Sequence, residues 1–554
     1  MLKNFLSNHL PSYFLGLIVF LGLVPQSGDN PLILAPTLLL CAFLILGNRL
    51  TKLDSKDPML LTLCLLWLVW GATGLASAIP FPTKITWVIF AALPLTYLYV
   101  RTTPKIDLTI PLTVIGTGLA LYAGYHFFIH HQNRPDWPFD DTNLLGLTFA
   151  FAALASLYLK PTRFLIPVLV MGMILTESRT AFLALLMGFG TYALLSHQTT
   201  SLFKNKSVLI LGLVTLAVTI PLIFTTGFDT RLISSVQDSS ERFSIWTAAW
   251  DMAWEHPWTG FGLGTFHLYY PPYRLAGDHD SLGWMVHMEP LQFAVESGWL
   301  STLLLYVVFI LAALKTIALR NNKTLEPHHI IAASILTALF VSIHLTYPLH
   351  VVGFMMIFGF ALATLYTQPT PKSSPLIFSI PMLLTLLAII WLGLSGAYTF
   401  LIWNNMQTAY HLHDQPRFNA LLDECLDRGD PDFPDCRLMA ARFMSLAQSS
   451  DTDEIKTLLD RAESENPVNA EIPYLRARTQ LVRDPSQAQD LLPLLDESLA
   501  RNPTFWPARK MAINILLSTG EKENAKTYLE KGLIYPYPKQ TRTEILSIEK
   551  MLKN

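Results

Sequence analysis

Apolar stretches recur along the chain from residue 11 to residue 401 and leave little room for a water-soluble fold there. A membrane-crossing helix needs about 20 mostly apolar residues, and on this criterion the sequence predicts about thirteen spans. Their ranges are 11–26, 31–48, 58–79, 84–100, 107–129, 142–159, 162–176, 179–197, 206–226, 298–319, 328–346, 350–367 and 375–401. We therefore expect an all-α, polytopic membrane helix bundle. Its first apolar stretch is expected to be a retained anchor, since no signal-peptide pattern opens the chain.

The charged residues divide the chain into two parts. Residues 1–400 carry 38 Asp, Glu, Lys and Arg, whereas residues 401–554 carry the other 42. Charged side chains are costly in lipid, so the sequence predicts a membrane domain at 1–401 and a soluble domain at 402–554. The net charge of −2 gives no reason to expect a nucleic-acid partner.

The short loops between the predicted spans differ in their Lys and Arg content. If the N-terminus is cytoplasmic, the cytoplasmic loops hold fourteen of these residues, while the opposite short loops hold only Lys84, Arg134 and Arg179. Because Lys and Arg favour cytoplasmic loops, this predicts a long periplasmic loop at about 227–297 and a periplasmic C-terminal domain. In that oxidising compartment Cys425 and Cys436 could form a disulfide, although two free thiols are an equal alternative.

The C-terminal domain shows a helical repeat. Asn466-Pro467 and Asn502-Pro503 follow amphipathic stretches at Asp453–Glu465 and Gln487–Arg501, and they lie 36 residues apart. A period near 34 residues is typical of tetratricopeptide-like helix pairs. Such arrays usually bind partners, so a protein partner is expected here.

Thr176-Glu177-Ser178-Arg179 lies at a predicted helix end on the periplasmic side. An arginine at membrane depth needs a partner. One alternative is Glu177 or a helix carbonyl, and the other is an anionic ligand such as a phosphate, which guanidinium binds in a bidentate way.

The long loop begins with an amphipathic helix. Its tryptophans Trp246, Trp250 and Trp254 recur every four residues, which is typical of an interfacial helix, and Arg242 precedes them. A glycine-rich segment at 255–264 follows. We expect a tight turn there and not a nucleotide loop, since no strand precedes it.

Several histidines have more than one interpretation. His287 lies where the loop approaches the membrane and could act as a general base, although a lone histidine is often structural. His344 and His350, which flank Tyr347-Pro348-Leu349, have the same ambiguity. The segment 277–280 could ligate a metal, but a solvated loop is the more common outcome for such residues.

Together, three motifs resemble the O-antigen ligase superfamily, which includes ligases, O-antigen polymerases and protein O-oligosaccharyltransferases. They are Ser178-Arg179, then Arg242 through Trp246 and His256-Pro257 to Gly262, then His287 through Leu291-Gln292 and Glu296 to Gly298. The resemblance covers roughly residues 60–365 and is strongest over 140–300.

The resemblance implies transfer of a glycan from undecaprenyl pyrophosphate to an acceptor hydroxyl at the periplasmic face of the bacterial inner membrane, without a metal or other cofactor. Arg179 and Arg242 would hold the donor pyrophosphate, and His287 would activate the acceptor. Glu177, Asn143 and Glu296 are expected to support the site. Met288 stands where the family often has asparagine.

The resemblance is compatible with three classes of acceptor. Lipid A-core is expected for a ligase, a Ser or Thr hydroxyl for a protein glycosylase, and a growing glycan for a polymerase. Protein-glycosylating members carry a Tyr-Pro-Leu stretch similar to Tyr347-Pro348-Leu349. A transporter or a membrane scaffold is the alternative from another class, although the candidate residues cluster at one face and no transporter-like internal symmetry is evident.

Overall fold

The structure is a computed structural model of an all-α chain. It describes residues 2–24, 30–47, 57–103, 106–131, 134–196, 235–275, 278, 283–366, 376–446, 451–535, 537 and 539–553. Every regular element within these residues is a helix, and they contain no strand. The predicted fold class is confirmed.

The first part of the chain contains fifteen α-helices among the described residues. In chain order they are α1 (Leu2–Leu23), α2 (Ala35–Leu46), α3 (Pro58–Gly74), α4 (Pro80–Phe90), α5 (Ala92–Thr102), α6 (Thr109–His130), α7 (Thr142–Ser156), α8 (Ile166–Leu175), α9 (Arg179–Leu195), α10 (Ser235–Glu255), α11 (Phe266–Tyr269), α12 (Glu289–Asn321), α13 (Pro327–Ser342), α14 (Val352–Leu365) and α15 (Leu376–His411). Short 3-10 turns lie at Pro31–Leu34, Lys160–Leu165, Pro271–Tyr273 and Pro348–His350.

The apolar helices coincide with the predicted spans. Each predicted range falls on a helix, except 206–226, which lies outside the described residues. Among the described residues, four helical stretches are long and apolar enough to cross a membrane, namely Pro80–Thr102, Thr109–His130, Glu289–Asn321 and Ile380–His411. The same part of the chain contains seven shorter apolar helices. The chain is an all-α membrane protein.

Two predicted spans contain a break that hydropathy does not reveal, and a third begins at one. The span at 84–100 divides into α4 and α5 at Ala91, because Pro94 in the first turn of α5 lacks the N–H that would continue the helix. The span at 162–176 consists of a 3-10 turn followed by the ten-residue helix α8. In α12, Gly298 has a φ of 75°, so a separate helical segment precedes the predicted span at 298–319.

Helix α14 lies at the centre of the bundle. All of its residues are buried, and it packs against α1, α5 and α13. Its closest approach to α1 is at Gly353, where an added Cβ would lie 2.5 Å from the Leu23 side chain. Small residues let helix backbones approach in a membrane, where hydrophobic driving force between helices is absent.

The interhelical turns gather at two ends of the bundle. One end, called the site end below, holds the described residues of the turns 75–79, 131–141, 176–178, 256–288 and 343–351. At the opposite end Asp57 caps α3, pairs with Arg101 at 3.3 Å and accepts a hydrogen bond from Tyr97 at 2.7 Å. The Lys and Arg pattern predicts that these two ends of the bundle lie on opposite sides of the membrane.

The C-terminal part is a series of short helices packed as neighbouring pairs. They are α16 (Gln415–Arg428), α17 (Asp435–Leu446), α18 (Thr452–Glu465), α19 (Glu471–Arg483), α20 (Leu492–Arg501), α21 (Trp506–Ser518), α22 (Lys522–Leu533) and α23 (Lys539–Lys553). Cys425 and Cys436 form a disulfide between α16 and α17.

The repeat signals coincide with helix ends. α18 and α20 stop directly before Asn466 and Asn502, as predicted. The stretch predicted as one helix at 487–501 instead begins as the 3-10 turn Pro485–Leu491, and α20 starts anew at Leu492 with a proline in its first turn. Assignment to the tetratricopeptide class stays a prediction.

The C-terminal domain rests on the site end of the bundle. Lys84, near the start of α4, pairs with Asp430 at 2.6 Å and Asp432 at 3.1 Å in the turn between α16 and α17. Phe433 of the same turn packs on Phe81. Helix α20 lies against the Pro271–Tyr273 turn. The domain therefore contacts the loop that carries the candidate site.

Candidate active site

The starts of α7 and α9 lie side by side at the site end. Asp141 caps α7 by accepting a hydrogen bond from the Asn143 N–H at 2.6 Å. Ser178 caps α9 through the Ala181 N–H and donates its hydroxyl to the Asn143 side-chain oxygen at 3.0 Å. Asn143, which the resemblance gives as a supporting residue, thus joins the serine-arginine motif to α7.

Arg179 is the first residue of α9 and is half-buried. Its position adds the partial positive charge of a helix N-terminus to the charge of its guanidinium, which favours an anionic ligand. Glu177 beside it is 9% exposed, has a φ of 53° and pairs with Arg134 at 3.5 Å. Arg134, which the sequence shows only as a loop charge, also donates to Thr142 at 2.8 Å.

Helix α10 carries the second motif. The Arg242 guanidinium, also half-buried, donates to the Leu345 carbonyl at 2.9 Å, so it lies beside the 343–351 turn. The Trp246 indole donates to the Val286 carbonyl at 3.0 Å. Helix α10 therefore positions the Arg242 guanidinium and also holds the backbone of Val286, the residue before His287.

The other two tryptophans of α10 face outward. Trp250 and Trp254 are 50% and 57% exposed, and their rings lie 5.4 Å and 5.5 Å from the ring of Trp299. This exposure agrees with the interfacial orientation predicted for α10, in which amphipathic rings lie at headgroup level.

The glycine-rich turn after α10 pairs with the first segment of α12. Three backbone hydrogen bonds of 2.9 Å join residues 257–262 to residues 295–299. Gly260 has a φ of 63°, and a Cβ there would lie 2.3 Å from the Glu296 carbonyl carbon. At Gly298 a Cβ would lie 2.4 Å from the Trp258 oxygen. The expected tight turn is confirmed, and its Gly260 is required by contact with the third motif.

Glu296 connects the same two segments through its side chain. Its carboxylate accepts hydrogen bonds from the Gly264 N–H at 2.9 Å and from the Gln292 side chain at 2.9 Å, and the side chain is 1% exposed. Through these bonds Glu296 joins the glycine-rich turn to the first segment of α12.

His287 lies at the junction of these elements. Its φ is 59°, the left-handed region that a side-chain-bearing residue rarely adopts. The Trp246 contact and a 2.7 Å bond from the Val286 N–H to Gln292 fix the preceding residue. Its buried Nδ1 has no hydrogen-bond partner among the described residues. Such strain and an unsatisfied buried nitrogen are typical of a functional position.

The electrostatic surroundings keep the His287 imidazole neutral. Burial is the main cause that lowers its pKa, the positive charge of Arg242 lowers it further, and Asp141 partly opposes them, so that the pKa falls to about 4. A neutral imidazole at physiological pH can accept a proton. A neutral His287 beside the positive charge of Arg242 is therefore suited to act as a base next to an anionic substrate.

Tyr347 closes the site from the 343–351 turn. Its hydroxyl donates to Asp141 at 2.7 Å, and its ring lies 5.2 Å from that of His287. Asp141 therefore both caps α7 and binds the Tyr347 hydroxyl. The Tyr-Pro-Leu stretch is the one signal that could have indicated Tyr347.

The remaining candidates lie outside this cluster. His344 contacts Tyr306 at 2.9 Å and the Phe340 carbonyl at 2.7 Å, while His350 lies between two buried glutamates. In the possible metal segment, Asp278 is fully buried and is bound by Tyr270 at 2.5 Å and Arg274 at 3.4 Å.

His279 and Asp280, the other two candidates of that segment, are outside the described residues. Among the residues that are described, no group of three or more His, Cys, Asp or Glu is arranged to hold a metal ion.

These features define a polytopic helical membrane protein with a polar, partly buried site at one end, built from α7, α9, α10, the start of α12 and the 343–351 turn. The family model described as O-antigen ligase matches residues 164–306. All three motifs fall inside this match, which confirms the resemblance to the O-antigen ligase superfamily. A search of the curated proteins found no match. The match supports a glycosyltransferase role of the ligase and polymerase kind.

Asp141, Asn143 and Tyr347 lie outside the matched segment, yet hydrogen bonds join them to its motifs. The path runs from Ser178 to Asn143 on α7, whose cap Asp141 binds Tyr347, and Tyr347 packs on His287. Arg242 meets the same turn through Leu345.

Proposed function

We propose that the protein transfers a glycan from undecaprenyl pyrophosphate to the hydroxyl of an acceptor, with lipid A-core as the acceptor, as in O-antigen ligation to lipopolysaccharide. In this proposal the chain is a multi-pass protein of the bacterial inner membrane, its N-terminus is cytoplasmic, and its site end and C-terminal domain are periplasmic. The disulfide between Cys425 and Cys436 supports an oxidising compartment for that domain.

One observation carries the proposal, namely that Arg242 and Tyr347 lie beside His287, whose buried Nδ1 has no hydrogen-bond partner among the described residues. His287 lies against Tyr347, and the charge of Arg242 acts on it. Guanidinium groups beside a proton acceptor fit a reaction in which an anion leaves while a hydroxyl attacks.

The chemistry requires one displacement. The acceptor oxygen forms a bond to the anomeric carbon, the bond from that carbon to the phosphate oxygen breaks, and undecaprenyl pyrophosphate leaves with the electron pair. His287 takes the hydroxyl proton. Arg179 and Arg242 stabilise the charge that grows on the pyrophosphate, an interaction strengthened by partial burial. In this proposal no metal or other cofactor takes part.

A second candidate is transfer to serine or threonine of an exported protein. It is favoured by the contact of α20 with the Pro271–Tyr273 turn, which brings a domain suited to protein binding to the site loop. Polymerisation of the glycan itself is a third outcome, in which the acceptor is another lipid-linked chain.

The test is glycan transfer in membranes supplied with undecaprenyl-pyrophosphate-linked glycan. Wild type is compared with Arg179→Ala, Arg242→Ala and His287→Ala at matched expression. Arg163→Ala is the matched control, because Arg163 also binds a backbone carbonyl, that of Leu157 at 3.0 Å, but at the opposite end of the bundle.

Loss of transfer in the three site variants, with transfer retained in the control, supports the proposal, and the labelled product identifies the acceptor. Transfer that survives in all three site variants would refute it and favour a scaffold or transporter.

A further inference from the structure

A buried histidine lies between two buried glutamates beside the site. His350 Nδ1 is 2.8 Å from Glu289, and its Nε2 is 3.4 Å from Glu296. The exposed fractions of the His350, Glu289 and Glu296 side chains are 5%, 0% and 1%. The rings of Phe90 and Phe293 enclose the imidazole at 5.3 Å and 5.4 Å. We call these three charged residues the Glu–His–Glu cluster.

The cluster is held by backbone donors from several segments. Glu289 accepts hydrogen bonds from the Leu349 and His350 N–H groups at 2.5 Å and 3.2 Å. Glu296 accepts from the Gly264 N–H at 2.9 Å. Two carboxylates buried on either side of one imidazole favour a cation between them.

The cluster reaches both loops that form the candidate site. Glu289 follows His287 by two residues, and its own N–H donates to Ile343 at 2.8 Å. His350 follows Tyr347 by three residues in the turn whose Leu345 carbonyl holds Arg242. A change in the cluster therefore moves the loop that carries His287 relative to the 343–351 turn, which carries Tyr347 and binds Arg242.

We propose that Glu289 and His350 are positioning residues for transfer, which hold the His287 loop against the 343–351 turn through the Glu–His–Glu cluster without touching substrate. The inference rests on the proposed function for its kinetic part only. Glu296 takes part in the same cluster, but it also holds the glycine-rich turn, so it is the less selective position to change.

Positioning predicts a specific pattern of kinetic effects. The donor arginines stay on α9 and α10, so the KM for donor should change by no more than about threefold. The base is displaced relative to its partners, and a misplacement of about 1 Å can cost about 10²-fold in rate, so kcat should fall by that order. The groups that face His287 are Arg242 from α10, Asp141 from α7 and the Tyr347 ring.

The experiment compares His350→Gln and Glu289→Gln with Asp57→Asn in the full-length protein in membranes. Glu289→Gln keeps the shape of the side chain and the pairing of His350 with Glu296, so it serves if His350→Gln fails to fold. Asp57→Asn is the control, since Asp57 is a buried, ion-paired carboxylate at the opposite end. Two readouts are the kinetics of transfer and the pH dependence of His287 modification by diethyl pyrocarbonate, followed by mass spectrometry.

In wild type the modification of His287 should titrate at low pH, and in both cluster variants its midpoint should move up by about one unit or more as the loop loosens and gains solvent. The control should leave the midpoint and kcat unchanged. An unmoved midpoint and kcat in folded cluster variants would overturn the inference. If no protein transfers glycan, wild type included, the proposed function fails, while the modification midpoint still decides whether the cluster positions His287.

Discussion

Replacing Gly260 by alanine should undock the glycine-rich turn from α12. The added Cβ would lie 2.3 Å from a backbone carbon, which cannot rotate away, so the two segments must separate. The left-handed conformation costs a side-chain-bearing residue about 1–2 kcal/mol. The three backbone hydrogen bonds between the segments contribute about 1 kcal/mol each. The docked turn should therefore lose about 4–5 kcal/mol, or a factor of about 10³ in its equilibrium constant.

Glycan transfer in membranes and the apparent unfolding temperature of the purified protein measure this loss. Transfer should fall by about 10²-fold or more, since the turn supports the segment that leads from His287 into the membrane. Gly264→Ala is the matched control, because Gly264 has a nearly equal φ of 68° and its Cβ would clash with the Thr86 hydroxyl at 2.3 Å, whereas the nearest backbone atom, the Pro82 oxygen, is 3.6 Å away. Adding Thr86→Ala should restore most of the activity of that control. Equal losses in Gly260→Ala and in the Gly264→Ala, Thr86→Ala double variant would refute the steric argument.

Three further outcomes are expected. The kcat/KM of transfer should fall only as the pH approaches about 4, where His287 takes up a proton. Arg242→Gln should move this acid limb of the pH profile to higher pH, because it removes one cause of the lowered pKa of His287. An unmoved limb would contradict the role of His287 as the base. Tyr347→Phe removes a hydrogen bond to the Asp141 carboxylate worth about 1.5–3 kcal/mol and should lower transfer by about 10- to 100-fold, which a transfer assay at matched expression checks. Lys84→Ala should weaken the contact of the C-terminal domain with the bundle by about 1–3 kcal/mol and expose residues 429–434 to limited proteolysis, whereas an unchanged cleavage rate would show that the contact is dispensable.

Hydropathy was sufficient to predict the class of the fold and nearly every apolar helix of the bundle in the described part of the chain. It could not predict the division at Ala91 or the kink at Gly298, because both depend on single residues that barely change a hydropathy average. The sequence predicted that the candidate residues lie at one face, and the structure places Arg179, Arg242 and His287 at the site end. The contact between Asp141 and Tyr347 could not be predicted from the sequence, because the two residues are 206 positions apart and meet only through the packing of helices.

The same limit applies to the histidines. His344 and His350 are equivalent by sequence, with one on each side of Tyr347-Pro348-Leu349. In the folded chain one of them contacts Tyr306 at the edge of the bundle, and the other is enclosed by two carboxylates contributed by α12. Only the three-dimensional arrangement of α12 and the 343–351 turn separates their roles.

Helix α15 has a mechanical consequence for the C-terminal domain. It runs unbroken for 36 residues, about 54 Å, and so exceeds the hydrocarbon core by about 24 Å before it meets the first helix of that domain. Together with the Lys84 contact and the packing of α20 against the Pro271–Tyr273 turn, it acts as a strut that holds the domain against the site end. Lengthening α15 by one helical turn would displace the domain by about 5.4 Å and should separate Lys84 from Asp430.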